Sequence, residues 1–318
     1  MTNGRKIVLV GCGAVGTSFV YSAINQGLAQ HYVLIDVVKD FAEGNEMDLT
    51  DTHAVLPTPF ATIKAGDYSD CGDADIVVIT AGRPQKPGET RLQMVADNAK
   101  IMKQVALGIK GSGFSGITII ASNPVDILTQ VYQEVTGYDS SKVISSGTTL
   151  DSSRLRKLLG AKLDVSPRSV KAYLIGEHGD SSVAIWSRSI IMGKTIAEYI
   201  QEGVVTEAEL EQVKDDATHM AYKIIEKKRA TFYGIGACLA KIVKAVLNDE
   251  KASMMVGAYL TGQYGVEDVY ISVPCIVGAK GIEQIIEWKL SDDELEGLRH
   301  SGVTLKEVYK TAKAAIQE

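Results

Sequence analysis

The stretch Lys6-Ile-Val-Leu-Val-Gly-Cys-Gly-Ala-Val-Gly16 joins a short apolar run to three glycines spaced G-x-G-x-x-G. Residues 7–10 show no polar alternation, which is typical of a strand that helices cover on both faces of a parallel sheet. Gly11 permits a tight turn, Gly13 lets a ligand approach the backbone, and Gly16 lets the next helix pack close to the strand. The stretch therefore directs a helix N-terminus at a pyrophosphate group.

The following segments supply context that the glycines alone lack, because 30 glycines in one chain produce this spacing by chance as well. Apolar residues recur at helical spacing over residues 14–27, and residues 32–36 form a second apolar strand pattern. Asp36 lies twenty positions after Gly16, where an acid hydrogen-bonds the ribose diol of NAD and repels the extra phosphate of NADP. We expect NAD(H) binding; the alternative is that Asp36 only caps a strand.

Length and composition favour a soluble protein with two lobes. A chain of 318 residues with 45% hydrophobic content can bury a large core. Its net charge of −6 gives no support for nucleic-acid or anionic-membrane binding. No apolar run reaches membrane-spanning length, and the first strand begins too early for a signal peptide. We expect a cytoplasmic protein with no nucleic-acid and no membrane partner.

The four cysteines lie far apart and form no C-x-x-C pair. Small buried thiols are the expected state, and neither a disulfide framework nor a metal site is indicated. The five histidines are equally scattered, and only His178 has neighbours that suggest chemistry.

The order of predicted elements indicates the fold class. Helix-like and strand-like segments alternate through the first half, which predicts a Rossmann-type α/β fold with a doubly wound parallel sheet. We assign residues 1–147 to this NAD-binding domain and residues 148–318 to a mixed α+β substrate-binding and catalytic domain. Further predicted elements are strands at 75–82, 117–122, 143–147, 169–176 and 269–274, and helices at 92–110, 124–135, 207–229 and from 291 onwards.

The segment Gly82-Arg-Pro-Gln-Lys-Pro-Gly-Glu-Thr-Arg91 holds two prolines, two glycines and three cations in ten residues. Such a segment cannot be a regular element. Its composition favours a mobile lid over the cofactor, with an ordinary surface loop as the alternative.

Charged residues of the segment after position 148 fall on an inward face. On a helix Asp151 and Arg154 share one face with two leucines, whereas Arg156 points to the opposite side. Buried charges need partners, so the first two residues are expected to serve a site. Arg156 is expected to be free for a neighbouring subunit or an effector.

The polar residues together fit hydride transfer to a 2-oxo acid, which needs a proton donor, a cation for the carboxylate and a group that polarises the carbonyl. His178 suits the acid–base role because its ordinary pKa lies near neutrality. Asp151 can orient the imidazole, Arg154 can grip a carboxylate through its planar fork, and Arg91 can polarise the carbonyl.

Five motifs of the chain resemble, in this order, those of the L-lactate dehydrogenase family. They are Gly11-Cys-Gly-Ala-Val-Gly16, Gln85-Lys-Pro-Gly-Glu-Thr-Arg91, Asn123-Pro-Val-Asp126, Asp151-x-x-Arg154 and Ile175-Gly-Glu-His-Gly-Asp-Ser181. The resemblance implies that His178 accepts the proton in lactate oxidation, with Asp151, Arg154 and Arg91 in the roles above. It further implies a place in glycolysis and fermentation, with pyruvate and L-lactate as substrates.

The same resemblance implies two sets of binding residues. Asn123 would hydrogen-bond near the carbonyl and nicotinamide, and Gln85 stands where malate dehydrogenases carry an arginine, which favours pyruvate over oxaloacetate. The implied substrate-binding residues are Gln85, Arg91, Asn123, Arg154 and Thr231. The implied NAD-binding residues are Gly11, Gly13, Val15, Gly16, Asp36, Tyr68, Gly82, Arg83, Ser122, Asn123 and Ser146.

Several positions depart from the family pattern. Arg83-Pro84 replaces a common Ala-Asn, and Phe41 replaces a lysine near the adenosine end. Arg156 matches an arginine that binds the effector fructose 1,6-bisphosphate in bacterial relatives, but Lys171 replaces its partner histidine.

A homotetramer is the family expectation. The rival interpretations are a malate or branched 2-hydroxyacid dehydrogenase and a non-catalytic NAD-binding sensor.

Overall fold

The computed structural model describes residues 4–83 and 91–317, with residues 91 and 92 as backbone only. Its strands are β1 (Lys6–Val10), β2 (His31–Ile35), β3 (Thr62–Ala65), β4 (Ile76–Ile79), β5 (Ile117–Ile120), β6 (Val143–Ser145), β7 (Val170–Lys171), β8 (Leu174–Ile175), β9 (Val183–Ala184), β10 (Ile190–Ile191), β11 (Lys194–Thr195), β12 (Ala252–Thr261), β13 (Glu267–Gly278) and β14 (Gly281–Ile285). Its α-helices are α1 (Ala14–Asn25), α2 (Lys39–Thr50), α3 (Arg91–Gly111), α4 (Val125–Thr136), α5 (Thr149–Lys162), α6 (Ile196–Gln201), α7 (Glu207–Thr218), α8 (Met220–Lys228), α9 (Tyr233–Leu247) and α10 (Asp292–Gln317). Turns of 3-10 helix lie at Asp51–Ala54, Tyr68–Cys71, Ser140–Lys142, Pro167–Ser169, Trp186–Arg188 and Gln263–Gly265.

The described residues build one nine-stranded sheet in the order β14-β13-β12-β6-β5-β4-β1-β2-β3. The six strands of the first half run parallel, and Val8 lies between Val33 and Val77 in register. Strands β4 and β5 are buried along their whole length, because helices cover both faces of the sheet. The predicted Rossmann-type, doubly wound α/β fold is confirmed.

Strands from the second half extend this same sheet. Gly257 of β12 pairs with Ser145 of β6, and β13 and β14 follow in antiparallel order. Strand β12 was not predicted from the sequence, and only residues 269–274 of the longer β13 were predicted. Strand β6 is therefore not at an edge of the sheet. The predicted domain boundary at residue 147 stays a prediction, and strands from both sides of it belong to one sheet.

The single strand predicted over 169–176 is wrong. Val170 and Lys171 pair with β10, whereas Leu174 and Ile175 pair with β9 in a different sheet. Between the two pairs, the carbonyl oxygen of Tyr173 accepts the backbone N–H of Ile185 over 2.9 Å. This change of direction carries the chain to His178.

The single helix predicted over 207–229 is also wrong, because His219 separates α7, which ends at Thr218, from α8, which begins at Met220. The backbone there has a ψ of 2°, and the imidazole Nδ1 lies 2.9 Å from the carbonyl oxygen of Asp215. Leu210, Val213 and Ala217 of α7 are buried in the core, whereas no residue of α8 is buried.

The turn between β1 and α1 depends on two glycines. Gly11 has a φ of +100°, a conformation that L side chains rarely adopt. A Cβ atom on Gly16 would lie 2.2 Å from the carbonyl oxygen of Gly11, so only a glycine lets α1 approach the strand this closely. On Gly13 a Cβ atom would meet nothing within 4 Å.

We expect Gly16→Ala to lower the free energy of unfolding by about 2–3 kcal/mol, because the added methyl group forces α1 away from the turn. Urea unfolding measures this change. The matched control is Gly13→Ala, whose added methyl group faces open space, and its effect should be about 0.5 kcal/mol. Equal stabilities for the two variants would contradict the close approach.

Candidate active site

An imidazole and a carboxylate from distant parts of the chain meet at the start of α5. Asp151 lies in the first turn of this helix and is buried, whereas His178 follows β8. Nδ1 of His178 lies 2.6 Å from Oδ2 of Asp151. This bond fixes the ring orientation and leaves Nε2 for proton exchange, and 27% of the imidazole side chain remains exposed.

The same carboxylate also holds a guanidinium. Nη1 of Arg154, one helical turn further on, donates to Oδ1 of Asp151 over 3.1 Å, and both side chains are buried. The bond uses one guanidinium nitrogen, and the planar fork carries further N–H donors for an anion. The structure thus brings together three of the four predicted catalytic residues: Asp151, Arg154 and His178.

The charges of this cluster shift two pKa values in opposite directions. The negative charge of Asp151 raises the pKa of His178 to about 9, although burial of the ring opposes the shift. Burial alone would raise the pKa of Asp151, but His178 and Arg154 outweigh it and lower that pKa. An imidazolium and a carboxylate therefore face each other at neutral pH.

Asp126 belongs to the site, although the sequence analysis gave it no role. It lies in the first turn of α4, is fully buried, and its Oδ2 accepts the backbone N–H of His178 over 2.9 Å. Its Oδ1 accepts the hydroxyl of Ser145 over 3.2 Å, and burial raises its pKa to about 6. The sequence does mark this position, since Asp126 is an acid inside an otherwise apolar helical turn, where a charged side chain needs a partner.

A cavity of about 690 Å³ opens at the carboxyl ends of β1, β2 and β4, where ligands of doubly wound sheets bind. Asp36 lines it and also accepts the backbone N–H groups of Cys12 over 2.8 Å and Val38 over 2.9 Å. Asp36 therefore holds the glycine turn and also faces the cavity, so its binding to a ribose stays a prediction. The predicted NAD-binding residues that line the cavity are Gly11, Gly13, Asp36, Tyr68, Gly82 and Arg83.

The other predicted NAD-binding residues lie elsewhere around the turn ends. Gly16 is buried in the first turn of α1 against Gly11, Val15 is half-buried, and Asn123 is exposed. Ser146 is buried, and so is Ser122, whose hydroxyl has no hydrogen-bond partner within the described part of the chain. A buried hydroxyl without a partner at the end of β5 fits a polar ligand such as the nicotinamide half of NAD.

Three predictions fall partly or wholly outside the described residues. Gln85 and most of the predicted lid lie outside them, and Arg91 is described only as the first backbone position of α3. Thr231 is half-buried in the turn before α9, and no described contact joins it to His178.

Arg156 is not free, which corrects the sequence analysis. Its Nε donates to the carbonyl of Val170 over 2.7 Å and its Nη2 to that of Pro167 over 3.1 Å. The helix position predicted the outward direction, but the chain after α5 returns close enough to engage the guanidinium. Arg156 and Lys171 line one cavity of about 370 Å³ together with Lys241, and none of its described lining residues is acidic.

The four cysteines of the chain are thiols. All four cysteines are buried and unpaired, and burial raises the thiol pKa of Cys12, Cys71, Cys238 and Cys275 to about 12. Within residues 4–83 and 91–317 no group of three His, Cys, Asp or Glu side chains could hold a metal ion. Nor is any described helix long and apolar enough to cross a membrane.

Comparisons with known proteins agree with this geometry. The family model described as lactate/malate dehydrogenase, NAD binding domain, matches residues 5–145, and that of the alpha/beta C-terminal domain matches residues 148–316. The L-lactate dehydrogenase of Mycoplasma capricolum is 62% identical over 97% of this chain and 98% of its own, and that of Mesoplasma florum is 60% identical over 98% of each. The crystal structure of the minor L-lactate dehydrogenase from Enterococcus mundtii, in its ligands-bound form, superposes with a TM-score of 0.95 at 46% identity, covering 96% of this chain and 98% of that one.

Replacing Asp151 by Asn keeps the shape of the side chain and removes its charge. Since that charge is the largest cause of the shift, we expect the pKa of His178 to fall from about 9 towards an ordinary value near 6.5. A raised histidine pKa stabilises the fold fully below about pH 6.5 and loses this contribution as the pH rises through 9. NMR titration of the imidazole measures the change.

The matched control is Asp215→Asn, which removes the carboxylate 2.9 Å from the exposed His219. It should leave the titration of His178 unchanged. A His178 pKa that stays near 9 in Asp151→Asn would contradict the electrostatic account.

Proposed function

The chain belongs to the lactate/malate dehydrogenase family, and from this premise we propose that His178, Asp151 and Arg154 form the catalytic centre of an NAD-dependent L-lactate dehydrogenase. The reaction interconverts pyruvate plus NADH with L-lactate plus NAD. The observation that carries the proposal is that one carboxylate, the buried side chain of Asp151, binds the imidazole through one oxygen and the guanidinium through the other.

Each residue has one task in the reduction of pyruvate. NADH, when bound, supplies the hydride to the carbonyl carbon. The imidazolium of His178 gives up its Nε2 proton to the carbonyl oxygen, and the N–H electron pair stays on the ring. Asp151 stabilises the imidazolium beforehand, Arg154 grips the substrate carboxylate, and Arg91 polarises the carbonyl. Lactate oxidation runs these steps in reverse, with neutral His178 as the proton acceptor.

The glycine turn and its surroundings are proposed to bind NAD. Gly11 and Gly13 leave the N-terminus of α1 open to the pyrophosphate, and Asp36 takes the adenosine ribose. The buried hydroxyl of Ser122 and the neighbouring Asn123 would meet the nicotinamide end. Tyr68 and Arg83 line the same cavity, and the sequence assigns Val15, Gly82 and Ser146 to the set as well.

The substrate is proposed to be pyruvate rather than oxaloacetate. A neutral Gln85 cannot offset a second carboxylate, and burying an unpaired carboxylate costs several kcal/mol, or about 10²-fold or more in selectivity. Thr231 is proposed to line the same pocket. A malate or branched 2-hydroxyacid dehydrogenase remains the alternative, while a non-catalytic sensor would have no use for the Asp151–His178–Arg154 cluster.

The assembly and the site of action are proposed from the family as well. A homotetramer would cover α8, which has no buried residue and exposes Tyr222 and Ile225. We place the enzyme in the cytoplasm, where pyruvate and NADH arise in glycolysis and fermentation. Light scattering of the purified protein tests the tetramer.

One assay tests the reaction, namely NADH oxidation with pyruvate, oxaloacetate and 2-oxoisocaproate. We expect pyruvate to give the highest kcat/KM. His178→Ala should lower turnover by roughly 10²–10⁴-fold, because no other group delivers the proton, while NADH binding persists. His219→Ala removes an exposed imidazole and serves as the control. Near-normal turnover of His178→Ala would remove this residue from the mechanism.

Fructose 1,6-bisphosphate is the proposed effector, because Arg156, Lys171 and Lys241 line one cavity without a described acidic residue. We expect it to lower the KM for pyruvate, although Arg156 must first leave two carbonyls. Lys171→Gln should abolish this activation, whereas Lys157→Gln, on the exposed side of α5, should preserve it. A KM that the bisphosphate does not change in the unmodified protein would contradict the proposal.

A further inference from the structure

A buried amide ties together two loop segments of the cofactor side. Asn98 lies on α3 and only 1% of it is exposed. Its Oδ1 accepts the backbone N–H of Arg83 over 2.9 Å, and its Nδ2 donates to the carbonyl of Arg83 over 3.1 Å. The amide thus pairs with both backbone groups of one residue, as a neighbouring strand would.

The second proton of this amide reaches a different segment. Nδ2 of Asn98 also donates to the carbonyl of Asn123 over 3.0 Å. Arg83 follows β4 and Asn123 follows β5, and these strands are parallel neighbours in the sheet. The carboxyl ends of two adjacent strands, where ligands of this fold bind, are therefore linked by one side chain.

The neighbouring residue on α3 strengthens the same anchor. Oδ2 of Asp97 accepts from Nη2 of Arg83 over 2.7 Å and from Nε over 3.1 Å. Asp97 holds the Arg83 side chain, and Asn98 holds its backbone. The two donated bonds use both N–H groups of the Asn98 amide, and its oxygen accepts the third bond.

We propose that Asn98 is a positioning residue of the dehydrogenase reaction, which holds the segment after β4 and the turn after β5 at one spacing and so places Asn123 against the nicotinamide and the carbonyl. This inference rests on the proposed function. Hydride transfer is sensitive to placement, since a displacement of about 1 Å can cost 10²-fold in rate.

Asn98→Asp tests the role with an isosteric side chain. The carboxylate still accepts the N–H of Arg83, but it loses both donors and puts negative charge beside two carbonyl oxygens. We expect kcat per active site to fall at least about 10-fold and the KM for pyruvate to rise. The primary deuterium isotope effect on kcat should also rise, because hydride transfer becomes the slow step.

A merely structural role gives a different result. It would reduce the number of active sites, counted by NADH fluorescence titration, and leave the KM and isotope effect of the remaining sites unchanged. The matched control is Gln130→Glu, which also changes a buried amide on a helix, because Nε2 of Gln130 donates to the carbonyl of Asp268 over 3.2 Å. This control should lower the melting temperature without changing KM or the isotope effect.

If Asn98→Asp does not fold, Asn98→Ala takes its place in the test, because it removes all three hydrogen bonds without adding charge. For either variant, kcat per site, KM and isotope effect within twofold of the unmodified enzyme would overturn the inference. Absence of pyruvate reduction in the unmodified enzyme would instead overturn the proposed function, so the two failures are distinguishable.

Discussion

The carboxylate of Asp151 is the contact on which the site depends. It lies in the interior, where an unpaired charge is costly, and it binds an imidazolium on one oxygen and a guanidinium on the other. If either His178 or Arg154 were removed, the buried carboxylate of Asp151 would keep only one of its two cationic partners. The fold must therefore bring the turn after β8 to the first turn of α5, although the two lie far apart in the sequence.

The single sheet explains how this meeting is achieved. Strands β12 and β13 extend the parallel sheet beyond β6, and Gly176, two residues before His178, pairs with Ser272 of β13. Asp126 adds a bond from α4 to the N–H of His178. The imidazole is thus fixed through its backbone by elements of the sheet and through its ring by α5. Two independent attachments would suit the proposed role of His178, in which the ring changes its protonation state without moving.

The sequence predicted the features that obey local rules. Each of these features depends on one turn or one periodicity of the chain, and the structure agrees with the prediction. They are the three glycines, the apolar strands and the shared helix face of Asp151 and Arg154. Features set by tertiary pairing were not predictable in this way. Residues 169–176 have one strand pattern but two strand partners, and Arg156 points outward from its helix, yet the returning chain engages it. Asp126 was missed for a similar reason, because its partner lies 52 positions away.

The charges around His178 set the protonation state of its imidazole in the free site, and the two directions of the proposed reaction need different protonation states. Asp126 and Asp151 are buried acids whose charges raise the pKa of the imidazole, and Arg154 is a buried cation that opposes them. With the pKa raised to about 9, the imidazole is protonated at neutral pH, which is the form that the proposed mechanism needs to donate a proton to a ketone. In that mechanism pyruvate would bind without a change of protonation. Lactate would react only with the neutral imidazole, so its productive binding would release a proton and weaken as the pH falls below the pKa of His178. The carboxylate of Asp151, which orients the ring, thus also favours the protonation state that reduction would use.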